Sequence, residues 1–149
     1  MSNQTYAVSS AVPSAVPSAL PSAVTTIVPA VGRVLISTIF ILSGLSKLAA
    51  PAMTIGYIQS VGLPLPALAY GISAFIEIVG GVTLLLGYRT RLAAAVLFVF
   101  TLATAVFFHN HLSDQNQFIH FFKNIAMAGG LLHVVAFGGG AVSLDGRRS

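Results

Sequence analysis

ALAYGISAFIEIVGGVTLLLG, residues 67–87, is the stretch on which the fold turns. It is apolar from end to end apart from one ionisable side chain, Glu77, ten residues from either end. At ~1.5 Å per residue such a run matches the ~30 Å hydrocarbon core of a bilayer. In lipid every backbone amide must find its partner inside the chain, so the run is predicted to be a membrane-spanning helix.

Three more stretches of the same kind flank it. Residues 29–49 precede it, RLAAAVLFVFTLATAVFF (91–108) follows, and FFKNIAMAGGLLHVVAFGGG (121–140) comes last. Breakers separate them: Pro51, then Pro64 and Pro66, then Gly87-Tyr88-Arg89-Thr90, then HNHLSDQNQ. The predicted fold class is therefore all-α, a bundle of four transmembrane helices over residues 29–145. The segment 51–66 is apolar but too short to span, and reads equally as an interfacial or re-entrant piece or as a loop. Residues 146–149 read as a polar C-terminal tail.

Composition agrees. Of 149 residues 56% are hydrophobic and only 7% charged, where a soluble domain carries about a quarter. Lipid must cover much of the surface. The net charge of +4 could suggest nucleic acid as a partner, but the basic residues lie singly or in pairs beside apolar runs and form no stripe, so they read as membrane-flanking charge. The absence of cysteine excludes disulfides, thiolate metal sites and CxxC redox chemistry within the chain. Residues 1–28 carry AVPS-AVPS-ALPS-AVTT from Ala11, with Pro13, Pro17 and Pro21. That spacing predicts a disordered tail, and without Lys or Arg it lacks the charged region of a signal peptide.

Basic residues near the helix ends set an orientation. With four helices, Arg33, Arg89, Arg91, Arg147 and Arg148 share one face and Lys47 and Lys123 the other. The excess predicts a multi-pass protein of a bacterial cytoplasmic (inner) membrane with both termini in the cytoplasm. The lipid bilayer is its first partner.

Ionisable residues inside apolar spans are the candidates for chemistry. Glu77 sits near the midplane and requires protonation or a partner. On the predicted first helix, Arg33 lies about 9 Å to one side of the centre and Lys47 about 12 Å to the other, so either is within reach of Glu77 for a long side chain. Arg33 is the candidate for a structural ion pair. Glu77, Lys47, Lys123, Asn124 and His109 form the candidate ligand or proton site. No metal site is assigned. His109 and His111 fall on different helix faces, His133 lies at another depth, and loop histidines with Asp114 and His120 more commonly face water. Small residues such as Gly71, Ser73, Gly80 and Gly81, or Ala126, Ala128, Gly129 and Gly130, read as packing surfaces.

GRVLISTIFILSGLSKL (32–48), EIVGGVTLLLGYRTRLAA (77–94), FFHNHLSDQNQFIHFFKNIAMAGGLL (107–132) and GGGAVSLD (138–145) together resemble the DoxX family of small bacterial membrane proteins. The resemblance covers about residues 31–145. It implies a four-helix bundle in the cytoplasmic membrane and an association with thiosulfate:quinone oxidoreduction, oxidative stress or thiol handling. The positions most like the family's polar signature are Arg33, Lys47, Glu77, His109, Lys123 and Asn124. The first expectation is an accessory or quinone-interacting subunit of a membrane redox system, with quinone as the cofactor and membrane redox proteins as partners. On that reading any enzymatic role is that of an oxidoreductase subunit. The alternative is a non-enzymatic scaffold whose buried charges only pack helices. A small transporter ranks third.

Overall fold

A computed structural model describes residues 22–147. The disordered-tail expectation therefore falls, for residues 1–21, outside the described residues. Five helices follow one another: α1 (Ser22–Ala49), α2 (Pro51–Ser60), α3 (Pro66–Leu86), α4 (Thr90–Phe108) and α5 (Gln115–Phe137). Among the described residues no strand occurs. The helices α1, α3, α4 and α5 are each long and apolar enough to cross a bilayer. Only 11–28% of the residues in their apolar windows are buried within the protein, so lipid must take the remainder. Leu35, Met53, Phe75 and Phe137 are among the large side chains left exposed.

Three boundaries differ from expectation. Helix α1 begins at Ser22, not Pro29, and carries Pro29 inside it. The intervening AVTTIV is apolar enough to continue the helix, and one missing N–H is tolerated in a membrane helix. Residues 51–60 form a helix, α2, with Pro51 in its first turn, where a missing N–H costs nothing. At ten residues it is too short to span. Helix α5 begins at Gln115, six residues before the expected start. Asp114 caps it: its Oδ1 accepts from Gln117 N at 2.9 Å, which satisfies an otherwise orphaned donor.

Packing is closest between α1 and α3 and between α4 and α5. Small residues allow the first contact. A Cβ on Gly44 would lie 2.5 Å from Ile78 Cγ1, and one on Gly81 would lie 2.8 Å from Ile41 Cγ1. Close backbone approach of this kind drives helix association in lipid. Phe40, Leu84, Ala93, Ala94, Leu97 and Leu131 form the buried core. Two buried hydroxyls spend their protons within their own helices: Ser37 donates to Arg33 O at 2.6 Å and Thr101 to Leu97 O at 2.7 Å.

Of the expected polar C-terminal tail, residues 146–147 belong to the segment that follows α5, and residues 148–149 lie outside the described residues. Residues 138–147 hook back beneath the α3–α4 turn. Leu144 N donates to Leu86 O and Asp145 N to Gly87 O. The Asp145 carboxylate accepts from Arg89 N at 2.9 Å, and from Thr90 N and Thr90 Oγ1 at 2.7 Å each. A residue 55 positions downstream thus caps the N-terminus of α4.

Candidate functional site

Between the spans, towards the ends of α1 and α4 and the starts of α3 and α5, lies a cavity of about 810 Å³. Helix α2 covers part of it, contributing Met53, Thr54, Tyr57 and Ile58. Tyr57 is held over the opening by its ring contact with Phe108, with centroids 5.5 Å apart. The walls are apolar in the main (Ile39, Phe40, Ile72, Phe100, Phe107 and Met127 among them). All five residues of the candidate ligand or proton site, Glu77, Lys47, Lys123, Asn124 and His109, line this one space.

Two polar groups face each other across the apolar walls. On α1 and α3, Lys47 Nζ lies 2.8 Å from Glu77 Oε1 and 2.7 Å from Oε2. Ser43, one turn before Lys47, accepts from Nζ at 2.9 Å and donates to Glu77 Oε1 at 3.1 Å. The Glu77 side chain is 7% exposed and that of Lys47 24%, so the carboxylate is the deeper member and the ammonium the one nearer the mouth. On α4 and α5, Asn124 Nδ2 donates to Thr104 Oγ1 at 3.4 Å. His109 closes α4 and stacks on His120, with centroids 5.1 Å apart and rings 23° from parallel. His109 Nδ1 meets Gln117 Oε1 at 2.8 Å. As placed, the amide oxygen accepts from Nδ1–H, which leaves Nε2 with its lone pair. Lys123 forms no ion pair among the described residues. With Lys47 matched by Glu77, the cavity holds one cation in excess.

Arg33 departs from the expected pairing with Glu77. Its Nη2 donates to Val142 O in the C-terminal hook, at the opposite end of α1, while Nε and Nη1 have no hydrogen-bond partner. Ser43, one helical turn from Lys47, bonds both Lys47 and Glu77, whereas Arg33 is drawn to Val142 O and lies beside Gly87 at the α3–α4 turn. His111 belongs to the α4–α5 connection. His133 packs at a tilt against Phe137, with centroids 4.5 Å apart and rings 47° from parallel, and does not line the cavity.

Sequence reasoning missed Ser43, Tyr57, Thr104 and His120. Ser43 could have been found from its position one turn before Lys47, on the same helix face. His120 could have been found had Asp114 been read as a cap, since α5 then carries it on the helix that bears Lys123 and Asn124.

Four membrane-spanning helices around a polar-ended apolar cavity define a small multi-pass membrane protein with room for a lipophilic molecule. The DoxX family model matches residues 28–110, and the chain belongs to the DoxX family. It is 34% identical over 122 residues to the inner membrane protein YphA of Escherichia coli, covering 78% of this chain and 87% of that protein. It is 33% identical over 115 residues to the inner membrane protein YqjF of the same organism, covering 77% and 87%. A putative oxidoreductase of Bacillus subtilis, CatD, is 43% identical over 74 residues, half of this chain and 53% of CatD. No solved structure matches the chain.

Proposed function

We propose that the protein binds a lipophilic quinone in this cavity, as an accessory subunit of a membrane redox system. The observation that carries the reading is the convergence of Lys47, Glu77, His109, Lys123 and Asn124 on one largely apolar space of about 810 Å³. That is within the size range of small-molecule sites, which are mostly apolar with a few placed polar groups. A quinone presents two carbonyl oxygens on opposite sides of an apolar ring. Lys123 with Asn124 supplies donors to one oxygen, and the Lys47 ammonium reaches the other by exchanging one of its bonds to Ser43 or Glu77 for the ligand. The excess cation favours electron density on those oxygens.

Reduction of a quinone to quinol takes two electrons and two protons. The stacked histidines and the Lys47–Glu77 pair are groups that exchange protons. With no cysteine in the chain, the electrons come from a bound redox cofactor or a partner redox protein. CatD is named a putative oxidoreductase, and that name supports a redox setting. The basic residues at the helix ends support the cytoplasmic placement of both termini, with the cavity in the outer half of the membrane.

The test is retention of quinone by protein purified in mild detergent, measured by organic extraction and mass spectrometry. Wild type should carry quinone in stoichiometric amount after loading and gel filtration. Lys123→Gln and Asn124→Leu, which remove donors without breaking the ion pair, should each lower the retained fraction several-fold. Unchanged retention in both would remove the cavity as the site. The saturation of Glu77 by Lys47 and Ser43 supports a second reading, a scaffold in which these charges only join α1 to α3. Under it the protein carries no quinone, and Glu77→Gln affects stability alone.

A further inference from the structure

The opposite end of the bundle holds a second cavity, of about 520 Å³, where the C-terminal hook passes the start of α4. Arg89, Arg91, Gly138, Gly139 and Ser143 line it. Its one carboxylate is Asp145, whose oxygens already accept from Arg89 N, Thr90 N and Thr90 Oγ1. The arginines are therefore in excess at the wall. Arg91 Nε lies 3.5 Å from the position a Cβ on Gly138 would take, so the absence of a side chain there leaves the guanidinium open. Behind the lining, Arg33 is 4% exposed and stands against Gly139 and Gly87. Its Nε and Nη1 lack hydrogen-bond partners. A buried, half-satisfied guanidinium beneath a wall of two more outweighs the single carboxylate of Asp145 and gives the cavity a net positive potential.

The cavity also has a defined depth. Thr90 opens one membrane span and Phe137 closes another, so the cavity lies where hydrocarbon gives way to head groups. Arginine forks match phosphate oxygens bidentately, and basic pockets between membrane helices at this level take anionic head groups.

We propose that this cavity is a phosphate-binding site, filled in the membrane by the head group of an anionic phospholipid. It is separate from the quinone cavity, and neither proposal depends on the other. Arg91 and Arg89 hold the phosphate oxygens, and Arg33 supplies charge from behind Gly139.

Native mass spectrometry of the full chain in detergent tests it, with added phosphatidylglycerol, phosphatidylcholine or inorganic phosphate. Phosphatidylglycerol should bind in preference to phosphatidylcholine by about fivefold for each arginine engaged, the equivalent of the usual attraction per basic residue. The preference should vanish in Arg89→Gln/Arg91→Gln. If that double variant does not fold, Arg91→Gln alone should lose about fivefold and Arg91→Lys less. Competition by inorganic phosphate at millimolar level would support a site open to free phosphate, and its absence one that needs the lipid's glycerol and chains. Equal binding of the two lipids by wild type, or a preference that survives loss of the arginine, would overturn the proposal.

Discussion

The Lys47–Glu77 pair makes a quantitative prediction through a double-mutant cycle. Glu77→Gln leaves Lys47 Nζ, now 2.7 Å from a carboxylate oxygen, without an anion, its acceptors reduced to Ser43 Oγ and a neutral amide oxygen. Breaking a buried pair on one side typically costs about 3–5 kcal/mol. Here the stranded ammonium belongs to a side chain that is 24% exposed and sits near the end of α1, so it can turn towards the head groups. The expected cost is about 2 kcal/mol, below the buried range. Lys47→Met strands the deeper partner, 7% exposed, and should cost more, about 3 kcal/mol. The double variant Lys47→Met/Glu77→Gln strands no charge, so its loss should fall short of the sum by about 2 kcal/mol. Reversible unfolding in mixed micelles, titrated with a denaturing detergent, measures all four corners. A coupling below about 0.5 kcal/mol, the level of an exposed surface pair, would refute the view that this pair ties α1 to α3.

Other changes have equally definite outcomes. Gly44→Leu should destabilise the bundle by about 1–3 kcal/mol, because its Cβ would already fall 2.5 Å from Ile78 Cγ1. Gly32→Leu, on the same helix with nothing within 4 Å, should be near neutral in the same thermal melts. Asp114→Ala should cost about 1 kcal/mol and speed hydrogen exchange over residues 115–118, since Gln117 N loses its acceptor. Asp145→Ala removes the acceptor of two main-chain amides and one hydroxyl. It should cost about 2 kcal/mol, with deprotection at Arg89 and Thr90 seen by the same exchange measurement.

The spans were legible because the bilayer imposes one rule on length and polarity, and four stretches obey it. The convergence of Lys47, Glu77, His109, Lys123 and Asn124 followed from depth: once helix order is known, each residue has a height in the membrane. Depth alone does not say which of two cations reaches a carboxylate. Arg33 and Lys47 were both within range of Glu77, and Ser43 decides the matter by standing one turn from Lys47 and touching both. The C-terminal hook was not legible, because its bonds join residues more than 50 positions apart and no local pattern announces them. The start of α5 was obscured by its polar first turn, where QNQ hides a helix that its cap, Asp114, announces.

The hook also bears on how the molecule comes into being. A ribosome delivers α1, α3 and α4 to the membrane before Val142 and Asp145 have been made. Until those residues emerge, α4 has no acceptor for its leading amides and the Arg33 side chain lacks its one hydrogen-bond partner, Val142 O. The half-built bundle must therefore wait with a charged side chain unsatisfied between its helices. Closure comes only after Val142 and Asp145 have been made, so the last span has to be threaded before the first is locked.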